Sequence, residues 1–283
     1  MKTCGCDSNV LYVEVWENYL IISRCSRFNS IPENHFKIPF NEVPNDKNKL
    51  VEFILKYSKK PLTFKDLSKD EKICEETCFN IFNNEINNIV INIFGCNLQC
   101  PMCFFTEHKV SSKMIKLYSD ICDAFIKTDY SIAFTHRGEP FLFREVINNY
   151  YKNNRSFSCI SNLTLIQESD FKLLAKNNCK ITCSIDSIDE TRYRAIRHPA
   201  SHEDYLRALY NAKELAKLNV LTMNLITITD ENLSLEDLLR TFKFFKDLNI
   251  PVQFGINCKS IKYDNPVVLR LRRLFPEGKY WRI

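Results

Sequence analysis

Gly95-Cys96-Asn97-Leu98-Gln99-Cys100-Pro101-Met102-Cys103-Phe104-Phe105 follows an apolar run, Asn88 to Phe94, that reads as a strand. Its cysteines at 96, 100 and 103 form a CxxxCxxC triplet. Thiolates this close along one loop suit a single soft-metal centre, because iron-sulfur clusters and zinc are the usual partners of clustered cysteine. A fourth ligand is missing from the loop. A closed structural site normally has four protein ligands, so a triplet leaves one coordination position open to a substrate or cofactor. A zinc loop completed from a distant segment, or three buried free thiols, would give the same spacing.

Composition bounds the rest. A chain of 283 residues, 45% hydrophobic and 26% charged, can bury one domain-sized core and carry a small appendage. Every apolar run falls short of the ~18 residues of a membrane helix, and the opening Met1-Lys2-Thr3-Cys4-Gly5-Cys6 has no signal-peptide core. Thirteen cysteines, an odd number with the triplet among them, point to a reducing compartment and a cytoplasmic location. Lys and Arg number 39 against 34 Asp and Glu, a net charge of +5 without a long basic block. That balance gives no electrostatic footprint for nucleic acid, and no membrane partner is expected. Glycines number only five, so each is expected to hold a particular backbone position.

Working outward, residues 1 to 86 read as a small α+β domain. Leu11 to Trp16 and Tyr19 to Ser23 are β-rich runs divided by Glu17-Asn18, a hairpin pattern. A helix is predicted over 48 to 58, with Leu50, Ile54 and Tyr57 on one face, and two short helices over 63 to 67 and 71 to 84. From Asn88 the pattern changes to β-rich runs at 88 to 94, 131 to 136, 156 to 161, 180 to 185, 221 to 228 and 252 to 257. Amphipathic helices are predicted between them at 112 to 127, 143 to 153, 169 to 177, 203 to 218 and 234 to 248. Alternation of this kind predicts a parallel sheet curved toward a barrel, with function at the C-terminal strand ends. Residues 259 to 283 then form a C-terminal strap.

The triplet and these strand ends resemble the radical S-adenosylmethionine (SAM) superfamily. The resemblance implies an α/β fold, a partial (β/α)6 barrel over residues 87 to 258, with a 4Fe-4S cluster on Cys96, Cys100 and Cys103. SAM would chelate the remaining iron. Met102 stands where the family most often has an aromatic residue that contacts the adenine. His136-Arg137-Gly138-Glu139-Pro140 resembles the Gly-Gly-Glu-Pro motif at the SAM amino group, with Arg137 in place of the first glycine; Gly138 and Glu139 carry over. Asn162 is similar to the Asn of a Thr-Asn-Gly turn, with Leu163 in place of the glycine. Thr182-Cys183-Ser184-Ile185-Asp186 resembles the Ser-Ile-Asp segment, in which Ser184 faces SAM, and alternation points Ser184 and Asp186 to one side. Tyr193-Arg194-Ala195-Ile196-Arg197 is similar to the stretch whose arginine, here Arg197, faces the SAM carboxylate. Asn224, on the fifth strand, is placed near the ribose.

By the same resemblance the reaction is reductive cleavage of SAM to a 5′-deoxyadenosyl radical, which takes a hydrogen atom from the substrate. The electron would come from a flavodoxin- or ferredoxin-type donor. Cys258, at the end of the sixth strand, is the candidate catalytic thiol, able to hand a hydrogen atom to a substrate radical; a buried or edge thiol is the plainer reading. A peptide or protein substrate is expected, because strands followed by helices before residue 86 loosely resemble small peptide-binding domains; a lid on the barrel is the plainer reading. A small metabolite substrate, or an iron-sulfur module without catalysis, are the alternatives. Cys74 and Cys78, four apart on a predicted helix, could share a second metal with Cys4 and Cys6, or pack with Cys25 as small hydrophobes. No cysteine follows Cys258, so a C-terminal cysteine-rich extension is not expected.

Overall fold

The computed structural model of the chain describes residues 9–24, 35–58, 85–103, 109–134, 137–257, 260–262, 264–275 and 280–282. Cys4, Cys6, Cys25, Cys74, Cys78 and Cys258, and both short helices expected between 63 and 84, lie outside the described residues. The chain divides into two compact units, Met1–Gly95 with His108–Gly138 and Glu145–Phe157, and Cys96–Glu107 with Glu139–Arg144 and Ser158–Ile283.

In the first unit the strand β1 (Val10–Val15) turns back as β2 (Tyr19–Ser23), its antiparallel partner. The Trp16 amide donates to the Tyr19 carbonyl at 2.9 Å and the two rings stack, so the tight turn falls where Glu17-Asn18 predicts it. A third strand, β3 (Phe36–Pro39), in the polar segment between Pro32 and Pro44, pairs antiparallel to β2. Helix α1 (Lys47–Ser58) buries Leu50 and Ile54 completely, while Tyr57 packs its ring on Phe53 and Phe36.

Then comes β4 (Asn88–Ile93), which reads Asn-Ile-Val-Ile-Asn-Ile and is buried from Ile89 onward on both faces, as parallel strands are. It pairs in parallel with β1 along its whole length, Val10 opposite Asn88 through Val15 opposite Ile93. On its other side lies β5 (Ser131–Phe134), also parallel. Between them runs α2 (Ser112–Ile126), whose buried stripe is Met114, Tyr118, Ile121, Cys122, Phe125 and Ile126. The Ser111 hydroxyl caps it, accepting from the Met114 amide at 3.3 Å. Lys47 on α1 reaches Asp120 and Asp123 on α2 at 3.2 and 2.6 Å. Helix α3 (Arg144–Lys152) adds Tyr150, whose ring meets Phe134 and Phe157.

In the second unit β6 (Ser158–Ser161), β7 (Lys180–Cys183), β8 (Leu221–Ile228), β9 (Val252–Ile256) and β10 (Tyr280–Arg282) pair in that order, each parallel to the next. Helices α4 (Glu168–Lys176), α5 (Glu190–Ile196), α6 (His202–Lys217), α7 (Leu235–Asp247) and α8 (Pro266–Leu274) connect them. The expected strap is thus a helix and a strand that prolong the sheet. Val268 and Leu271 of α8 enter the core with Ile226, Ile228, Leu238, Phe254 and Ile256.

Glycine being scarce, asparagine ends the helices. Asn154, Asn178, Asn219 and Asn249 follow α3, α4, α6 and α7 with φ between 50 and 58°. In each case the next amide donates back into the last turn, as Cys179 does to Leu174, Val220 to Leu215 and Ile250 to Phe245, all at 2.9 Å. This is the Schellman ending, and asparagine tolerates its left-handed residue better than other side chains do.

Candidate active site

The triplet loop leaves β4 through Gly95, at φ 119°. Gly95 forms an isolated parallel bridge with Gly138, and a Cβ added at Gly138 would sit 2.2 Å from the Gly95 oxygen. Gly138 is therefore required by backbone packed on backbone, one residue before Cys96, where the motif resemblance alone suggested close approach to a ligand.

Past Gly95 the loop is fixed at two points. Asn97 donates to the Thr164 hydroxyl at 2.9 Å and accepts from the Asn162 amide at 3.0 Å. Further on, the Gln99 amide donates to the His198 carbonyl at 2.5 Å. Cys96 and Cys103 are open to solvent and Cys100 is buried. N–H groups already point at two of the sulfurs. Cys96 Sγ lies 3.6 Å from Asn162 Nδ2 and 3.4 Å from the Leu98 amide, and Cys100 Sγ lies 3.8 Å from Arg197 Nη1. Met102, in the turn between the last two cysteines, is half-buried.

Asn162 sits at the end of β6 and does more than its turn position suggested. Its Oδ1 accepts from the Thr164 amide at 2.9 Å and hydroxyl at 2.7 Å, an Asx turn that leaves Nδ2 free for the triplet loop. Leu163, where the family pattern has glycine, takes φ 66° with its side chain fully buried. Asn211 of α6 holds this turn from below, donating to the carbonyls of Leu163 and Ile166 at 2.8 and 2.9 Å.

Glu139 is 1% exposed. Its Oε1 accepts from the Phe141 amide at 3.1 Å and the Ser161 hydroxyl at 2.9 Å, and its Oε2 from the Asn162 amide at 2.8 Å. Burial pushes its pKa up to about 7 from an ordinary 4.5, and the three donors offset only part of that. Arg144, which follows Phe143, grips both Asp170 oxygens at 2.8 and 2.7 Å and donates to the Leu165 carbonyl, anchoring the segment that carries Glu139.

Strand β7 stops at Cys183, two residues short of expectation, because Asn224 of β8 takes over the pairing. Its Oδ1 accepts from the Ile185 amide at 2.9 Å and its Nδ2 donates to the Ile185 carbonyl at 2.9 Å. The wholly buried Asn224 amide is thus engaged by protein, where the sequence reading gave it the ribose. Ser184 is half-buried and turns its hydroxyl to the Ser161 carbonyl at 3.4 Å. Asp186 is fully buried, accepting from the Thr227 amide at 2.6 Å and pairing with Arg197 Nη2 at 2.6 Å.

Arg197 follows the last turn of α5, a helix the sequence reading left out. Burial opposes its charge, but Asp186 first and Cys100 second outweigh it and hold the guanidinium above its ordinary pKa. The Cys100 thiol is raised by burial and drawn partly back by Arg197. Arg197 Nε is buried without a hydrogen-bond partner among the described residues. Asn97, Ser161, Thr164 and Asp186 complete the site. Thr164 was recoverable from the two-residue Asx spacing and Asp186 from its place in the Ser-Ile-Asp segment; Asn97 and Ser161 carried no signal. The histidines His136 and His108 lie outside the described residues, as does Cys258.

A family model described as the Radical SAM superfamily matches residues 90–245. No curated protein matches the chain. Among solved structures, Streptococcus suis SuiB bound to the precursor peptide SuiA is 13% identical, with 98% of this chain and 72% of that chain covered at a TM-score of 0.51. The protein anSMEcpe with bound AdoMet and Cp18Cys peptide is 20% identical over 68% of this chain, TM-score 0.46, and this chain spans 62% of its length. A radical SAM methyltransferase from Sphaerobacter thermophilus is 12% identical, with 67% of this chain and 63% of that chain covered at a TM-score of 0.41.

Among the described residues, no three His, Cys, Asp or Glu side chains are gathered as a metal-ion site. The fit to an iron-sulfur cluster rests instead on donor chemistry, three soft sulfurs in one loop with N–H donors directed at Cys96 and Cys100. The fit to SAM rests on a buried carboxylate with a raised pKa at Glu139 and a spare buried donor at Arg197 Nε.

Proposed function

Because the chain belongs to the radical SAM superfamily, we propose that it is an enzyme acting by hydrogen-atom abstraction on a peptide or protein substrate. Its fold is an α/β partial barrel with an N-terminal antiparallel addition, and the cofactors of the family are a 4Fe-4S cluster and SAM. When bound, the cluster, reduced by one electron from an external donor, would pass that electron to the SAM sulfonium, so that SAM would part into methionine and the 5′-deoxyadenosyl radical that abstracts hydrogen.

The chain's own residues bind and orient. Cys96, Cys100 and Cys103 would hold the cluster. Glu139, kept from water, offers its carboxylate to an ammonium, and Arg197, held by Asp186 through Nη2, offers the single Nε–H donor to a carboxylate. Asn162 and Arg197 place N–H dipoles on the thiolates, which stabilises negative charge on the sulfurs. Met102 and Ser184 are assigned to the adenine and ribose sides of SAM, and Cys258 to hydrogen-atom return.

The observation that carries this reading is the triplet loop fastened by Asn97 to the Asn162 turn and by Gln99 to His198, directly after Arg197. The peptide substrate is supported by the fold shared with SuiB, whose structure holds a precursor peptide, together with the strands β1 to β3 that precede the barrel. Anaerobic reconstitution tests the first part: about four irons per chain are expected, lost in Cys96→Ala, Cys100→Ala or Cys103→Ala. Mass spectrometry of candidate peptides incubated with loaded protein, reductant and SAM tests the second. A mass change that requires Cys100 supports it; turnover of SAM with only small metabolites altered would overturn it.

A further inference from the structure

Arg137 stands where the family pattern has a glycine, directly before Gly138 and Glu139. An arginine there needs a reason, since its side chain is only 10% exposed. The reason lies on β1. Arg137 Nε contacts the carboxylate of Glu14, which is 0% exposed. Glu14 sits opposite Asn92 in the β1–β4 register, three residues before Gly95. A buried carboxylate is tolerated only when it is paired, and a guanidinium is the most suitable partner. Each of the two residues therefore explains the other.

Beside the pair lies a close backbone contact. Gly138 is pressed on Gly95 so closely that no side chain fits between them. By covalent continuity these two glycines lead into Glu139 and Cys96. In a Gly-Gly-Glu-Pro turn the first position has no side chain by which to be held. Here it has one, and its anchor is the N-terminal strand.

Resting on the radical SAM reading, we infer that Glu14 and Arg137 are a positioning pair that fixes the Gly138–Glu139 turn, making β1 part of the SAM-binding machinery. The two side chains work as a unit, so restoring the family's glycine is harmful while Glu14 remains and tolerated once Glu14 is neutralised.

The test is a double-mutant cycle on the full-length, reconstituted protein: Glu14→Gln, Arg137→Gly, and both together. Iron content and the SAM dissociation constant are measured for each. Each single change is expected to weaken SAM binding about tenfold or more with iron content unchanged, and the pair together to recover most of it. SAM binding unaffected by the single changes, or a double variant as weak as the product of the two, would overturn the inference. Amide hydrogen exchange across residues 134 to 143 in cluster-free protein reads the same coupling without SAM. Faster exchange in each single variant and wild-type exchange in the double supports the pair even if the loaded wild-type protein fails to bind SAM, an outcome that would count against the family chemistry. Exchange identical in all four proteins would sink it.

Discussion

Glu139 is a carboxylate that the fold keeps from water and gives no contacting cation among its hydrogen-bond partners. Its pKa, up to about 7 from an ordinary 4.5, is raised in the native state. The native protein therefore binds this proton more tightly than the unfolded chain does. The contribution to stability is fully present below about 4.5 and is lost as pH rises through about 7, amounting to at most about 3 kcal/mol. Urea unfolding of cluster-free protein at pH 5.5 and pH 8 is expected to show this loss, and Glu139→Gln is expected to remove it. An ammonium beside Glu139 favours the charged form, so SAM affinity is expected to weaken as pH falls below about 7, by dialysis equilibrium. Arg197 yields a second prediction. With its charge and donor 3.8 Å from Cys100, Arg197→Met is expected to lower the cluster's reduction potential in a titration performed without SAM. A potential unchanged in Arg197→Met, with SAM binding weakened, would confine Arg197 to the SAM carboxylate.

At the scale of elements, the strand-and-helix order from 88 to 256 was legible because each segment carries its own period, and the boundaries differ by at most two residues. The exceptions have physical causes. Strand β7 ends early because a side chain, Asn224, replaces backbone pairing at Ile185. Helix α5 is seven residues long, too short for periodicity to register, and is started by Asp189 accepting from the Arg192 amide. Strands β3 and β10 are four and three residues long, below what alternation can reveal. In the site, the cysteines and Glu139 were legible as a motif, whereas Asn97 and Ser161 matter through partners far along the chain. Gly138 does hold a position closed to any side chain, because its backbone lies against that of Gly95. Gly138→Ala is expected to displace the loop that begins at Cys96 and to cost about a hundredfold in SAM cleavage, measured as initial rate. Asn219→Ala, which forces alanine to a φ of 55°, is expected to cost about 1 kcal/mol by denaturant titration, and Asn219→Gly to be neutral or stabilising.

At the scale of the whole molecule, the sequence suggested an N-terminal domain ending at residue 86, with the barrel beginning after it. The structure pairs β1 with β4 over six consecutive positions, so the N-terminal strand belongs to the same sheet as the strand that delivers the cysteines. Removing residues 1 to 24 would uncover the edge of β4, and open edges of apolar parallel strands associate. Expression of that truncation is expected to give aggregated protein without cluster, checked by solubility and iron content. Among the described residues no helix is long and apolar enough to cross a membrane. The family match covers residues 90–245 and so includes Arg137, while its partner Glu14 lies on a strand before the match.

The central claim is that the three-cysteine loop supports reductive cleavage of SAM. Release of 5′-deoxyadenosine under anaerobic reducing conditions, compared between reconstituted wild-type protein and Cys100→Ala, tests it most directly. Product from the wild type and none from the variant is the predicted result. No product from a fully loaded wild type, with or without candidate peptides and with SAM failing to bind, would contradict it.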